Sequence, residues 1–125
     1  MKNIQIEKTK HTPKIVLDST TRILEFSGKS YPENTFEFYA PVQEWIELYF
    51  QDTKDLTTIN FDINYLNSSS IKFYYDLFEL LEESSNKGHG IKVNWKYDKD
   101  DDMTLETGEE FVDDYEDLDI ELVVK

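Results

Sequence analysis

Leu56-Thr-Thr-Ile-Asn-Phe-Asp-Ile-Asn-Tyr-Leu66, then Asn67-Ser68-Ser69-Ser70, then Ile71-Lys-Phe-Tyr-Tyr-Asp-Leu-Phe-Glu-Leu-Leu-Glu-Glu83 is the stretch from which the fold is read. Its first part alternates, placing Ile59, Phe61, Ile63 and Tyr65 on one side of an extended strand with polar residues between them. The Asn-Ser-Ser-Ser break ends that alternation and supplies side chains that cap helices. Beyond it the apolar spacing becomes helical, at Ile71, Tyr74, Phe78 and Leu81. Phe73, Leu77 and Leu80 widen the arc until only Lys72, Asp76, Glu79, Glu82 and Glu83 remain as a polar stripe. Such a helix needs cover on more than one side.

Towards the C-terminus, the glycine-containing loop Ser84 to Gly90 leads into Ile91-Lys-Val-Asn-Trp-Lys-Tyr97, a second alternating strand. Asp98 to Asp102 reads as an acidic turn, Met103 to Asp117 as a helix and Leu118 to Val124 as a closing strand. The succession strand, helix, strand, helix, strand implies crossovers and parallel pairing in this half. Towards the N-terminus, Ile4 and Ile6, then Lys14 to Asp18 and Arg22 to Phe26, read as two or three strands joined by hairpins. Gly28 and Tyr31-Pro32-Glu33-Asn34 mark a turn before a helix over Phe36 to Phe50. Pro41 fits best in a first helical turn, so regular helix is expected from near Tyr39 or Ala40. The fold class is therefore α/β: one mixed sheet, with N-terminal hairpin strands and a β-α-β-α-β C-terminal half, and helices packed on it.

At 125 residues and 14.9 kDa, with 38% hydrophobic and 14% aromatic residues, residues 1–125 suit one domain with a real core. Eight Phe, eight Tyr and two Trp argue against a disordered chain. No apolar run approaches the ~20 residues of a membrane span, and the N-terminus alternates in polarity, so a soluble cytoplasmic protein is expected. The absence of cysteine excludes disulfides, thiolate metal sites and thiol chemistry. A net charge of -14 disfavours nucleic acid and anionic membranes as partners. The charge is uneven: residues 98–125 hold 13 of the 27 acids and only two of the 13 bases.

Enzyme signatures are missing. There is no phosphate-binding glycine loop, dinucleotide fingerprint or nucleophile elbow, and no cofactor is implied. His11 and His89 lie in polar loops without a carboxylate or second histidine at ligand spacing, and read as exposed loop residues. Asp98-Lys99-Asp100-Asp101-Asp102 superficially suggests a calcium loop but lacks the central glycine and distal glutamate of that motif, so no metal ligand is assigned. The serine triplet carries more information. Its hydroxyls sit where a helix offers unpaired amides and the positive end of its dipole, which suits either a plain N-cap at Asn67 or Ser68, or a phosphate.

Four separate motifs occur here in one colinear order: Ser30-Tyr31-Pro32-Glu33-Asn34, Tyr65 to Lys72, Leu77 to Glu83, and Trp95-Lys96-Tyr97-Asp98. Over roughly Thr12 to Val123 the chain resembles the SiaC family of bacterial regulatory phosphoproteins. The resemblance implies an architecture like that of the anti-sigma-factor antagonist (STAS-like) proteins. It also implies a hydroxyl at a helix N-terminus that is phosphorylated by a kinase of the anti-sigma-factor type and dephosphorylated by a PP2C-type phosphatase. The family's phosphoacceptor threonine corresponds to Ser68, with Ser69 and Ser70 as neighbouring hydroxyls. Tyr65, Asn67, Ser69, Ser70 and Lys72 complete the phosphosite motif and the implied partner contacts. Tyr31, Pro32, Glu33, Asn34, Trp95 and Tyr97 belong to the other family motifs. By the same resemblance, the unphosphorylated form binds and activates a GGDEF diguanylate cyclase, raising cyclic-di-GMP and favouring biofilm, with no catalysis of its own. Two other readings stay open from the residues: an adaptor independent of phosphorylation, and an acidic domain binding a divalent metal.

Overall fold

The computed structural model describes residues 1–125. Six strands and three helices alternate along the chain: β1 Ile4–Ile6, β2 Lys14–Asp18, β3 Ile23–Ser30, α1 Thr35–Asp52, β4 Thr57–Leu66, α2 Ser68–Asn86, β5 Ile91–Tyr97, α3 Asp102–Asp114 and β6 Asp119–Val124. They form one mixed sheet in which spatial order equals chain order, β1-β2-β3-β4-β5-β6. The β1–β2 and β2–β3 pairs are antiparallel, and β3–β4, β4–β5 and β5–β6 are parallel.

Each of the three parallel pairs is bridged by a helix, and because the order never reverses, crossovers of one hand set all three helices on the same face. The burial pattern agrees. Leu24, Phe26, Ile59, Phe61, Ile63, Ile91, Val93 and Trp95 are buried under the helices, while Glu25, Asn60 and Asn94 point to the open face. Charged and amide pairs knit that open face: Asn94 Nδ2 donates to Asn60 Oδ1 at 2.9 Å, and Lys92 Nζ contacts Asp119 and Glu121 at 3.3 and 3.0 Å. With no switch point in the strand order, the sheet lacks the crevice that doubly wound sheets use for ligands.

As its wide apolar arc requires, α2 is covered on three sides. Phe73 stacks on Tyr39 of α1 (centroids 4.0 Å apart), Phe78 stacks on Phe111 of α3 (4.1 Å), and Phe61 of β4 lies beneath Phe78 at 5.1 Å. At the α3–sheet contact Gly108 faces Trp95. A Cβ there would fall 2.8 Å from Leu122 Cδ2 as well as into the indole, so only glycine fits.

Besides carrying β3 through Gly28, where a turn was expected, to Ser30, and α2 through Ser84 to Asn86, the structure corrects four expectations. Helix α1 begins at Thr35, not near Tyr39, because Asn34 caps it: Asn34 Oδ1 accepts from Glu37 N at 3.0 Å, and Asn34 O accepts from Phe38 N at 3.0 Å. Pro41 therefore lies inside the helix, where the lost hydrogen bond is offset by burying Tyr39, Val42, Trp45 and Ile46. Helix α3 stops at Asp114, with Tyr115 as its C-cap, short of the expected Asp117. His89 is not exposed: it retains 7% of its surface, its Nδ1 bonds the Thr53 carbonyl, and its ring lies edge-on to Phe50. The fourth concerns Tyr65. The β3–β4 register runs Gly28↔Ile63 and then Lys29↔Tyr65, so Asn64 is an extra residue in a β-bulge. One extra residue inverts the alternation, sending Tyr65 away from Ile63 to the open face beside Lys29, where it is half exposed.

Candidate functional site at the start of the second helix

The bulge, the end of β3 and the start of α2 meet at one corner of the molecule. Asn67 is the N-cap of α2: its Oδ1 accepts from Ser70 N at 2.9 Å, and its backbone carbonyl accepts from Ile71 N at 2.9 Å. Asn67 N donates to Ser30 O at 3.0 Å, which locks the cap to the end of β3. The amides of Ser68 and Ser69, the first two of the helix, find no acceptor in the chain. They are the unpaired donors of a helix start.

The three serines occupy three different environments. Ser70 is completely buried, and its Oγ lies 2.8 Å from Ser30 Oγ. Ser30 Oγ in turn lies 2.6 Å from Tyr39 Oη, and Tyr39 Oη lies 3.0 Å from Tyr74 Oη. This buried chain of four hydroxyls ties α2, β3 and α1 together with every member satisfied. Burial pushes the Tyr39 phenol up to about 12, and the Tyr74 phenol well above its ordinary value. Both stay neutral at any physiological pH. Ser69 is exposed, but its Oγ is held 2.5 Å from Thr35 Oγ1 and 3.3 Å from Asn67 Oδ1. Ser68 is exposed at the first position of the helix, and its hydroxyl makes no hydrogen bond in the chain. Of the three, it is the one whose hydroxyl is both exposed and without a hydrogen-bond partner in the chain.

Two grooves with exposed apolar side chains flank the start of α2. Tyr65 is 50% exposed and Met103, at the start of α3, 77%. Both line a groove of about 120 Å³ with Leu66 and Ile71. On the other side, Phe36 is 84% exposed and lines a second groove with Ser69, Lys72 and Phe73. Lys72 Nζ lies 3.4 Å from Asp76, one helical turn on, in an exposed pair.

Of the remaining motif residues, Tyr31 joins the corner by an edge-on contact with Tyr65 at 5.5 Å. Pro32 is buried beside it, Glu33 is exposed in the same turn, and Asn34 caps α1. Trp95 is a core residue whose Nε1 donates to Thr104 O at 2.9 Å, although its ring also reaches the Tyr65–Met103 groove. Tyr97 is half-buried at the end of β5, where its carbonyl accepts from Lys125 N at 2.9 Å. In the acidic turn, Asp101 caps α3, accepting from Thr104 N at 3.1 Å and Thr104 Oγ1 at 2.7 Å. These bonds hold its carboxyl below the ordinary aspartate range. No three carboxylates or histidines converge as a metal site would require.

The sequence reading did not identify Ser30, Tyr39 and Tyr74 as partners of Ser70. Ser70 and Tyr74 are four apart on the buried face of α2, so a hydroxyl there demanded a partner from the sheet or α1. Thr35 and Met103 were likewise missed, since their approach to the site depends on loops whose paths no local pattern specifies.

Fold and site together define an α/β module that offers a capped helix start with an accessible hydroxyl. The chain belongs to the SiaC family of regulatory phosphoproteins, whose model matches residues 6–125. It is 35% identical over 114 residues to an uncharacterised protein of Pseudomonas aeruginosa (strain UCBPP-PA14), covering 91% of this chain and 90% of that one. Among solved structures it resembles SiaC of Pseudomonas aeruginosa, with a TM-score of 0.87 at 32% identity over 100% of this chain and 98% of that chain. It also resembles the activator SiaC in the crystal structure of the diguanylate cyclase SiaD in complex with SiaC from Pseudomonas aeruginosa. There the TM-score is 0.92 at 32% identity, over 98% and 99% of the two chains.

Proposed function

We propose that this protein is a non-enzymatic cytoplasmic switch, which binds and activates a diguanylate cyclase when Ser68 is unmodified and releases it when Ser68 is phosphorylated. The observation that carries the reading is the state of the three serines: Ser70 is buried, Ser69 is engaged, and Ser68 presents a free hydroxyl at a helix start whose first two amides are unpaired. Phosphate adds about -1.5 to -2 charges there, a change the helix dipole and free amides accommodate within the fold. A partner seated on Tyr65, Ile71 and Met103 would instead have to desolvate a dianion, with Lys72, in an exposed pair with Asp76, the nearest cation in sequence. The solved SiaD–SiaC complex supports a cyclase as the partner, and the family supports regulation by phosphorylation. A kinase of the anti-sigma-factor type and a PP2C-type phosphatase would set the modified fraction.

The test is titration of the full chain against its cognate cyclase. Ser68→Ala should bind as tightly as the unmodified protein, and Ser68→Asp at least about tenfold more weakly, with neither variant melting appreciably below the parent. Mass spectrometry after kinase treatment should place the phosphate on Ser68. Equal affinities, or phosphate on another residue, would return Ser68 to the role of a helix start and leave an adaptor without a switch.

A further inference from the structure

In a protein of net charge -14, three lysines gather without a carboxylate among them. Lys8, Thr9, Lys10, Gly28, Lys29 and Asn64 line a hollow of about 230 Å³ that contains no hydrophobic residue. None of the three lysines makes an ion pair, as holds for every lysine but Lys72, Lys92 and Lys125. Of the acids beside the three lysines, Asp62 pairs with Lys125 Nζ at 2.8 Å, and Glu7, which precedes Lys8, accepts from Gln5 Nε2 at 2.8 Å.

The cluster is built rather than incidental. Gly28, at φ 119°, leaves room for the Lys8 stem to cross β3, since a Cβ there would meet Lys8 Cδ at 3.2 Å and Pro13 Cα at 3.4 Å. The loop that carries Lys8 and Lys10 is fixed by Thr9, whose Oγ1 accepts from Thr12 N at 3.0 Å and His11 N at 3.2 Å. Tyr31 N donates to His11 O at 2.8 Å. The same bulge that turns Tyr65 outward joins this hollow to a second one lined by Lys29, Tyr31, Asn64 and Tyr65. A trench thus runs from three unpaired ammonium groups to two aromatic side chains.

We propose that this trench docks an extended acidic segment of a partner protein, its carboxylates on Lys8, Lys10 and Lys29 and an apolar residue against Tyr31 and Tyr65. Charge complementarity selects the occupant. Nucleic acid would bring its continuous phosphate charge against the remaining surface of a strongly acidic protein, whereas a short acidic segment touches only the cationic trench. At physiological salt the repulsion from the distant acids of α3 and β6 is screened beyond ~8 Å. Ser68 lines neither hollow, although the trench shares Tyr65 with the cyclase-binding surface proposed above.

The experiment is fluorescence anisotropy of the full chain with a short labelled peptide of alternating glutamate and leucine. The peptide should bind, weaken with added salt, and lose about tenfold in affinity to the Lys8→Glu/Lys29→Glu variant. The Lys54→Glu/Lys87→Glu variant carries the same change in net charge at exposed positions outside the trench and should bind as the parent does. Because all four lysines are exposed, both variants are expected to keep the parent's circular dichroism and melting curve. Absence of peptide binding, equal loss in both variants, or tighter capture of a single-stranded oligonucleotide by the same lysines would overturn the proposal.

Discussion

Helices α2 and α3 start in equivalent places, each leaving the C-terminal end of a parallel strand and each capped by the side chain just before it, yet the two starts carry opposite chemistry. Helix α3 has an anionic cap, Asp101, and a second acid, Asp102, in its first turn. Helix α2 has a neutral cap, Asn67, and no acid in its first turn, while α1 has Glu37 in that position. In a chain with 27 acids, the one helix start left without negative charge is the one that exposes Ser68. The difference separates a start whose dipole is already satisfied, and whose role is structural, from one where a charge can still be added.

Four substitutions test that contrast by stability. The largest effect is expected from Ser70→Asp, which places a charge inside the buried hydroxyl chain and should cost about 3 kcal/mol or more in urea unfolding. Ser68→Asp, two residues earlier, should leave the fold intact. If Ser70→Asp were tolerated equally well, the three serines would not differ as the contacts indicate. Next comes Asp101→Ala, which removes both bonds to Thr104 and should cost about 1 kcal/mol. Because the Asp101 carboxyl titrates below its ordinary value, its contribution is present above the unfolded pKa of ~3.9 and is lost as pH falls through the lower folded value. The parent and Asp101→Ala stabilities should therefore converge as pH drops below ~4, and a constant gap down to pH 2 would refute the cap's electrostatic role. The smallest effect is a reciprocal exchange at matched first positions. Ser68→Asp should gain, and Asp102→Ser should lose, about 0.3–1 kcal/mol at low salt, with both changes fading in high salt. Changes of the same sign would show that the two starts are not electrostatic opposites.

Much of this fold is legible wherever a single period governs a whole element. Ile91 to Tyr97 alternates without interruption and is a strand over that same span, and the helical spacing after Asn67 gives the capped start of α2, although the helix runs to Asn86, three residues into the expected loop. Reading fails where one local rule overrides another. Pro41 argues against helix, but the Asn34 cap and four buried side chains outweigh it. Tyr65 continues the alternation of Ile59, Phe61 and Ile63 on paper, yet a bulge at Asn64 is determined by how β4 pairs with β3, which no single strand encodes. His89 looks exposed beside Gly88 and Gly90 because its acceptor, Thr53 O, lies 36 residues away. At the site, the motif alone offered three serines. Only packing against Ser30 and Thr35 distinguishes them, and both are long-range partners.

The strand order also bears on how the molecule is made. Since every strand pairs with its predecessor in the chain, no segment waits for a distant partner, and each crossover closes a loop of modest length. During synthesis the sheet can grow in one direction, with β3 and β4 enclosing α1 before β5 and α3 exist. The acidic end would then be laid down last, on an edge already formed, so that its self-repulsion falls on the final docking step and not on the nucleus.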